Sequence, residues 1–414
     1  MKVNKIPMIS FLREFGITEG RLLEDIHPNL DTVIIGGKPV ARYTGEFWTS
    51  KQRQGSSIHE ISYRACFKSQ LPNFFIRLLT NEGEVVYDPF SGRGTTAIEA
   101  GLTGRNVIAN DVNPLSTILT KPRFFIPDIL KLEERLEKVL RRSSKAKLSL
   151  PMFYHPKTER EIRSLRDYLR TRLENRSQDS LDQWIRTVAT NRLTGHSKGF
   201  FSVYTLPPNQ ALTPDRQIKI NKRLRQRPEY RNVCEIILKK SRSLIRNLTE
   251  AQRHCLLQAG NSGSFLTEDA RDTKSIPNGS VHLTVTSPPF LNIVDYGGDN
   301  WLRTWFNSID TREVTSRITS AKTVEEWSSF IRSVFIELFR LTKSGGWVAF
   351  EVGDVRKGLV HLEEHVAPLG IEAGFRCVGL IMNRQRFTKT SNIWGIKNNQ
   401  KGTNSNKIVL FHKT

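Results

Sequence analysis

Short apolar runs alternate along the chain with longer segments in which apolar residues recur at helical spacing. The runs predict buried strands, and the clearest of them are 85–88, 106–110, 281–286 and 347–352. Two further strands are predicted near the C-terminal end, at 376–382 and 407–411. Strands that alternate with helices are typical of an α/β fold built on a mainly parallel sheet.

A long insertion separates the second predicted strand of this sheet from the third. Within residues 121–260, the stretches 130–142 and 159–173 have apolar residues at helical spacing with dense charge between them, so we expect a mainly helical insertion. The predicted organisation is an N-terminal adaptor at 1–46, the first half of a cofactor-binding domain at 47–120, the insertion at 121–260 and the second half of that domain at 261–414.

The first strand of the predicted domain leads into a glycine loop. The segment 88–96 reads Asp-Pro-Phe-Ser-Gly-Arg-Gly-Thr-Thr, and a helix start follows at Ala97. Gly92 and Gly94 let the backbone turn sharply and approach a ligand, and a helix N-terminus presents unpaired N–H groups. The next strand ends in Asp111, about 20 residues further on, where a nucleotide-binding βαβ unit has its ribose-binding acid.

The strand at 281–286 ends in the tetrapeptide Ser287-Pro288-Pro289-Phe290. Each proline fixes its own φ and biases the preceding residue toward extended geometry, so the loop is stiff. A hydroxyl, a proline carbonyl and an aromatic ring could clamp a planar heterocycle that carries an amino group. A proline-stiffened turn with an aromatic plug explains the tetrapeptide alone equally well. A flexible segment is expected shortly after it, at 295–300.

The glycine loop, the acid and the Ser-Pro-Pro-Phe loop together resemble the motifs of the amino-methylating DNA methyltransferases. That family binds S-adenosyl-L-methionine on a Rossmann-like sheet and has a catalytic Asp/Asn/Ser-Pro-Pro-aromatic loop. The resemblance covers residues from about 47 to 111 and from about 266 to the end. It implies an α/β, Rossmann-like methyltransferase sheet whose last two strands form an antiparallel hairpin, interrupted by the large basic insertion.

The resemblance also implies roles for individual residues. The catalytic residues would be Ser287, Pro288, Pro289 and Phe290. S-adenosyl-L-methionine would be bound by Asp88, Phe90, Ser91, Gly92, Gly94, Thr95, Asp111, Asp269, Phe67 and Lys68, and no metal is expected. In this set Asp269 accepts from the adenine amine of the cofactor, with Asp272 as its rival. Phe67 and Lys68 lie in a segment that either covers the methionine end of the cofactor or is an ordinary amphipathic helix.

The charge of the chain predicts a polyanionic partner. The formal net charge is +22, and between Lys121 and Gly260 there are 31 Lys and Arg against 14 Asp and Glu. We therefore expect double-stranded DNA to bind mainly through the insertion, with Arg223, Arg225 and Arg227 contacting phosphates collectively. The loop 191–204 either reaches toward a groove or an extruded base, or turns its aromatic residues Phe200 and Phe201 into a local core.

Two kinds of sequence feature are absent, and both absences bear on where the protein is expected to work. The four cysteines have no spacing that suggests zinc ligands or a disulfide framework. There is no signal peptide and no apolar stretch long enough to span a bilayer. We expect a cytoplasmic protein that has no contact with membranes.

The serine form of the catalytic loop is typical of enzymes that methylate N4 of cytosine. The sequence therefore predicts a DNA (cytosine-N4)-methyltransferase, the modification partner of a restriction or other defence system with a cognate restriction endonuclease. An adenine-N6 DNA methyltransferase, an RNA methyltransferase and a non-catalytic nucleic-acid-binding protein are the alternatives, in that order. The oligomeric state is left open.

Overall fold

Eleven strands and thirteen α-helices are defined in the part of the chain that the structure describes. The computed structural model describes residues 29–35, 37–45, 47, 55–64, 66–141, 149–205, 212–289, 291, 296–318, 321–355, 360–384 and 405–414. The strands are β1 (Asn29–Ile35), β2 (Lys38–Gly45), β3 (Val85–Asp88), β4 (Asn106–Asn110), β5 (Ser264–Leu266), β6 (Val281–Thr286), β7 (Thr342–Val352), β8 (Asp354–Val355), β9 (Val360–His361), β10 (Arg376–Arg384) and β11 (Ser405–His412).

Most of the helices lie between β4 and β5, in the insertion. The helices are α1 (Gln70–Leu79), α2 (Thr95–Leu102), α3 (Leu115–Thr120), α4 (Ile129–Leu140), α5 (Pro156–Glu174), α6 (Ser180–Arg192), α7 (Pro214–Leu224), α8 (Val233–Ile245), α9 (Glu250–Ser262), α10 (Tyr296–Asn307), α11 (Thr311–Arg317), α12 (Val324–Leu341) and α13 (Leu362–Glu372). Among the described residues, the insertion is therefore mainly helical, as predicted.

The main sheet has nine strands in the order β1-β2-β10-β11-β7-β6-β3-β4-β5. From β7 to β5 all neighbouring strands are parallel, whereas β11 pairs antiparallel with both β7 and β10. The chain runs outward from β3 through β4 to β5 and then returns to β6 on the other side of β3. The predicted Rossmann-like methyltransferase sheet with its antiparallel hairpin is confirmed, and β3 and β6 border its topological switch point.

The N-terminal part of the chain contributes more to the sheet than the sequence indicated. β1 and β2 form an antiparallel hairpin, and β2 pairs in parallel with β10 so that Tyr43 lies opposite Ile381. Just beyond the hairpin, the Phe47 amide donates to Asn383 Oδ1 over 2.7 Å. The segment predicted as an adaptor thus extends the sheet by two strands; its residues 1–28 lie outside the described part of the chain.

The helices of the insertion share a hydrophobic core with the sheet. Leu132, Trp184 and Ile237 from the insertion belong to the same buried cluster as Phe74 and Ile98, which flank the sheet. This packing gives the insertion a fixed position on the domain that contains the sheet, because the two parts bury apolar surface against each other.

Two local interpretations of the sequence are decided by the structure. The flexible segment expected at 295–300 is wrong for its described residues, because α10 begins at Tyr296. In the loop 191–204, Phe200 and Phe201 are 5% and 1% exposed, so they form a local core and do not reach outward. None of the described helices is long and apolar enough to cross a membrane.

Candidate cofactor and catalytic site

The two sequence motifs meet at the switch point of the sheet. Asp88 ends β3 and Thr286 ends β6, and the Thr286 hydroxyl donates to Asp88 Oδ1 over 2.6 Å. The Phe90 amide donates to the same oxygen over 3.1 Å. Both side chains are buried, and burial raises the pKa of Asp88 to about 7. The start of the glycine loop is thereby tied to the residue immediately before Ser287.

The glycine loop has a backbone shape that requires glycine at two positions. Gly92 and Gly94 have φ values of +53° and +74°. A Cβ atom on Gly94 would lie 2.3 Å from the side chain of Thr120, whereas the nearest atom to a Cβ on Gly92 would be in the Tyr63 ring, 3.6 Å away. Gly94 is therefore needed for packing against α3, whereas a Cβ on Gly92 would make only ordinary contacts with Tyr63 and Cys66.

The glycine loop is also bonded to the end of the neighbouring strand. The Gly92 amide donates to Asp111 Oδ2 over 2.8 Å, and the Asn113 amide donates to Oδ1 over 2.9 Å. Burial raises the pKa of Asp111 to about 6, although these two hydrogen bonds oppose the effect. Each carboxylate oxygen keeps acceptor capacity for a further donor, such as a ribose hydroxyl.

The segment before α1 lies over the glycine loop. Besides Tyr63, the Cys66 sulfur lies close to Gly92, 3.8 Å from the position that a Cβ atom would take there. Arg93 fastens the segment through its guanidinium, which donates to the carbonyls of Ile61 and Phe67 over 3.0 and 3.3 Å. This segment therefore covers the loop. Phe67 and Lys68 directly follow Cys66 in the chain.

Other members of the expected cofactor set border the same loop. Ser91 and Thr95 are buried, and the Ser91 hydroxyl has no hydrogen-bond partner among the described residues. The ring of Phe90 lies 6.0 Å from that of Phe330 on α12, centroid to centroid. An unpartnered buried hydroxyl beside Gly92 is consistent with a polar ligand at this place.

The two candidate adenine-binding acids differ in their surroundings. Asp269 accepts two hydrogen bonds from the Arg271 guanidinium, over 2.9 and 2.6 Å, and these hold the pKa of Asp269 below its ordinary value. Asp272 is exposed and forms an ion pair with Lys274 at 3.3 Å. The loop that carries Asp269 is joined to β4, since the Glu268 amide donates to Asn110 Oδ1 over 2.8 Å.

The described part of the catalytic loop is held from two sides. The Trp327 indole N–H on α12 donates to the Pro289 carbonyl over 2.9 Å. The Ser287 hydroxyl lies beside the buried carboxylate of Glu351 at the end of β7, and this carboxylate accepts from Asn406 Nδ2 over 2.6 Å. Ser287 is half-buried and Pro288 is buried. Phe290 lies outside the described residues.

Four residues of this arrangement were not found from the sequence: Tyr63, Thr286, Trp327 and Glu351. The contacts of all four cross from one element to another that is distant in the chain, so a local motif contains no signal for them. Thr286 is an exception, because it directly precedes Ser287 and the sequence contained a signal for it. A polar residue at the end of an otherwise apolar strand, facing the end of β3, was the available signal.

The chain is similar in sequence to DNA methyltransferases. A family model described as DNA methylase, of the N6/N4 methyltransferase type, matches residues 24–116. The type II methyltransferase M.BsoBI of Geobacillus stearothermophilus is 25% identical over 316 residues, covering 69% of this chain and 61% of the relative. The type II methyltransferase M.MjaII of Methanocaldococcus jannaschii is 30% identical over 95 residues, covering 23% of this chain and 18% of the relative.

The chain thus spans less than two thirds of the length of either relative. Among solved structures, the Thermus thermophilus protein TTHA0409 in complex with S-adenosyl-L-methionine matches with 26% identity and a TM-score of 0.21, covering 35% of this chain and 53% of that chain. The family model and the curated relatives confirm the resemblance predicted from the two motifs.

Proposed function

We propose that this chain, which is related to the amino-methylating DNA methyltransferases, transfers a methyl group from S-adenosyl-L-methionine to N4 of a cytosine flipped out of double-stranded DNA. The observation that carries the proposal is the 2.6 Å hydrogen bond between Thr286 and Asp88. Because this bond joins the ends of β3 and β6, a ligand on the glycine loop and a base against Ser287 would be immediate neighbours.

The glycine loop and the residues around it would hold the cofactor. Gly92, without a side chain, would let the amino-acid part approach the backbone closely, and Asp111 has acceptor capacity for the ribose hydroxyls. Asp269 would accept from the adenine amine while keeping its contact with Arg271. When bound, S-adenosyl-L-methionine supplies a methyl group activated by a sulfonium centre.

Ser287 and Pro288 would prepare the target amine. The exocyclic nitrogen of cytosine is a poor nucleophile because its lone pair is delocalised into the ring. If Ser287 Oγ and the Pro288 carbonyl each accept one amine hydrogen, the nitrogen is drawn toward tetrahedral geometry and its lone pair is released. If the one hydroxyl proton of Ser287 points to the neighbouring Glu351 carboxylate, the oxygen lone pairs remain available as acceptors. The contribution of these residues is positioning, and no strong base is required.

The target base has to leave the duplex to reach this loop. A base inside a helix cannot present its amine to Ser287, so it would be extruded at the cost of unstacking. We propose that Phe290 stacks on the extruded base and that residues 121–260 provide most of the affinity for DNA, since this segment holds most of the net positive charge.

The biological setting that we propose is a restriction-modification or related defence system. The support is that M.BsoBI and M.MjaII are both named type II methyltransferases. DNA methylated by this protein should then resist cleavage by a cognate endonuclease. Cleavage of fully methylated DNA at the same rate as unmethylated DNA by that endonuclease would contradict this setting.

Methyl transfer from labelled cofactor tests the reaction. We expect label in double-stranded DNA, little label in RNA of the same sequence, and a much lower rate of labelling with the Ser287→Ala variant. Mass spectrometry of the digested DNA should show N4-methylcytosine. N6-methyladenine as the only product would move the target to adenine, preferential labelling of RNA would change the substrate class, and absence of transfer to any nucleic acid would refute the proposal.

A further inference from the structure

Two groups of basic side chains in the insertion differ in their surroundings, and the first is neutralised internally. Arg135 and Arg172 both bind the carboxylate of Asp182, each over 2.7 Å. Arg163 forms an ion pair with Glu159 one turn away on α5. Such cations balance nearby carboxylates, so they add little to the field that a distant polyanion would meet.

The second group lies on α7 and in the turn that follows it. Six Lys and Arg side chains there are exposed, and none forms an ion pair with a carboxylate in the described part of the chain. They are Arg216, Lys219, Lys222, Arg223, Arg225 and Arg227, and we call them the α7 basic surface. Only Asp215 and Glu229 bring negative charge into the same stretch.

The helix that carries this surface is held to the rest of the insertion by hydrogen bonds on its other face. Gln217 is fully buried and its Nε2 donates to the Tyr204 carbonyl over 3.0 Å, which also accepts from Gln226 Nε2 over 2.9 Å. Asn221 Nδ2 donates to the Met152 carbonyl over 2.7 Å. These bonds attach one face of α7 to the rest of the insertion and leave the basic face toward solvent.

The spacing of these cations places several of them on the same face of α7. Arg216, Lys219 and Arg223 are three and four residues apart, so they lie on one face of the helix. Self-repulsion among such side chains is relieved when an anion with several charges binds across them. A row of cations without acidic partners on a rigid helix suits a phosphate backbone, which presents its charges in a regular series.

The start of α7 is in contact with the element that follows the catalytic loop. The Trp301 indole N–H on α10 donates to the Leu212 carbonyl, two residues before α7, over 3.1 Å. The Trp301 ring also lies 6.3 Å from that of Phe153 in the insertion, centroid to centroid. A nucleic acid whose base enters the catalytic loop would therefore have α7 within reach of its backbone.

We propose that the α7 basic surface binds the phosphate backbone of the DNA duplex that delivers the target base. This inference rests on the proposed function and adds where on the insertion the duplex is held. The paired cations of α4, α5 and α6 would contribute little.

The test compares two triple variants that remove the same charge. Lys219→Gln/Lys222→Gln/Arg223→Gln changes the α7 basic surface. Arg141→Gln/Arg170→Gln/Arg242→Gln is the control, because these arginines are exposed but paired with Glu137, Glu174 and Glu133. The affinity of each full-length protein for a mixed-sequence duplex of about 30 base pairs, long enough to span the site of a DNA-binding domain, is measured by fluorescence anisotropy over a series of salt concentrations. Cofactor affinity is measured as a check on folding.

The slope of log affinity against log salt should become shallower by about 0.9 for each phosphate contact that is lost, and so by as much as about 2.7 in the α7 variant. The control should keep the wild-type slope, and both variants should keep their cofactor affinity. An unchanged slope and affinity in the α7 variant would overturn the inference, as would an equal loss in the control.

Methyl transfer by the wild-type protein, measured separately, distinguishes this inference from the proposed function. Salt-dependent binding that the α7 variant loses, without methyl transfer to DNA, would support the surface and refute the function. Methyl transfer with unaltered binding by the α7 variant would refute the surface and leave the function standing. Absence of DNA binding by the wild-type protein would refute both.

Discussion

The hydroxyl of Ser287 lies beside the carboxylate of Glu351 across two neighbouring strands. The pairing follows from the register of the sheet, because Thr286 lies opposite Phe350 and each is followed by one member of the pair. Asn406, from β11 on the other side of β7, donates to the same carboxylate. A hydroxyl proton of Ser287 that points to this carboxylate would be directed away from an incoming base, and the Ser287 oxygen would be left to accept.

Removing either member of this pair should lower turnover more than binding. Ser287→Ala loses an acceptor for the target amine, and a lost hydrogen bond of about 1.5–3 kcal/mol corresponds to a fall in kcat of roughly 10- to 100-fold. Glu351→Gln keeps the size of the side chain but not its charge, so kcat should fall less. Steady-state kinetics with separate measurement of cofactor and DNA affinity checks both.

The pH profile separates a positioning role of Glu351 from a merely structural one. Burial raises the pKa of Glu351 above its ordinary value. The carboxylate form accepts from Ser287, so kcat should fall as the pH falls through this raised pKa, and Glu351→Gln should lack that acid limb. The same acid limb in the variant as in the wild-type protein would contradict the role.

Cofactor affinity should depend on pH through Asp111. Its pKa is about 6, and ribose hydroxyls donate to the ionised form, so binding should strengthen as the pH rises from about 5 to about 7. Asp111→Asn should weaken binding by about 1.5–3 kcal/mol above this range and remove this rise. Any pH dependence of cofactor affinity that remains in the Asp111→Asn variant would be attributed to the titration of Asp88, whose pKa is about 7. Calorimetric titration showing equal affinity for both proteins would disprove the assignment of Asp111.

Gly94 should be far less tolerant of a side chain than another glycine of the same backbone conformation. Gly94 and Gly83 have φ values of +74° and +80°, but a Cβ on Gly83 would meet no atom within 4 Å, whereas one on Gly94 would clash with Thr120. Gly83→Ala should cost about 1–2 kcal/mol of unfolding free energy from backbone strain alone. Gly94→Ala should cost about 1–3 kcal/mol more, because the core is overpacked.

Chemical denaturation of the two variants measures this difference. Equal losses of stability would mean that α3 can move away from the loop, and that Gly94 is required only for its backbone conformation. A larger loss for Gly94→Ala, together with weaker cofactor binding, is the expected result.

The sequence predicted the elements of this protein better than their mutual contacts. The strands ending in Asp88 and Thr286 were visible because each is a short apolar run followed by a turn motif. Pairing of β2 with β10 was not visible, since a parallel pairing between segments so distant in the chain leaves no local pattern. Glu351 was predicted only as part of an apolar strand, and its contact with Ser287 depends on the register of β6 and β7.

The acidic partners of the basic residues in the insertion are likewise not predictable from the sequence. The excess of basic residues in 121–260 was evident from composition, but the sequence could not tell Arg172, which is bonded to Asp182, from Arg223, which has no acidic partner among the described residues. Pairing of this kind is decided by the packing of helices, and composition counts both residues equally.

The hydrogen bond between Thr286 and Asp88 should matter for stability, and the same strand provides its control. Thr286 and Thr284 are both fully buried on β6, but the Thr284 hydroxyl has no partner among the described residues. Thr286→Val should cost about 1–3 kcal/mol of unfolding free energy, because Asp88 loses a donor in a buried site. Thr284→Val removes a hydroxyl that makes no bond and should cost nothing or stabilise the protein. Denaturant titration above the pKa of Asp88 measures both variants, and a loss in Thr284→Val as large as in Thr286→Val would show that the contact with Asp88 does not hold the two motifs together.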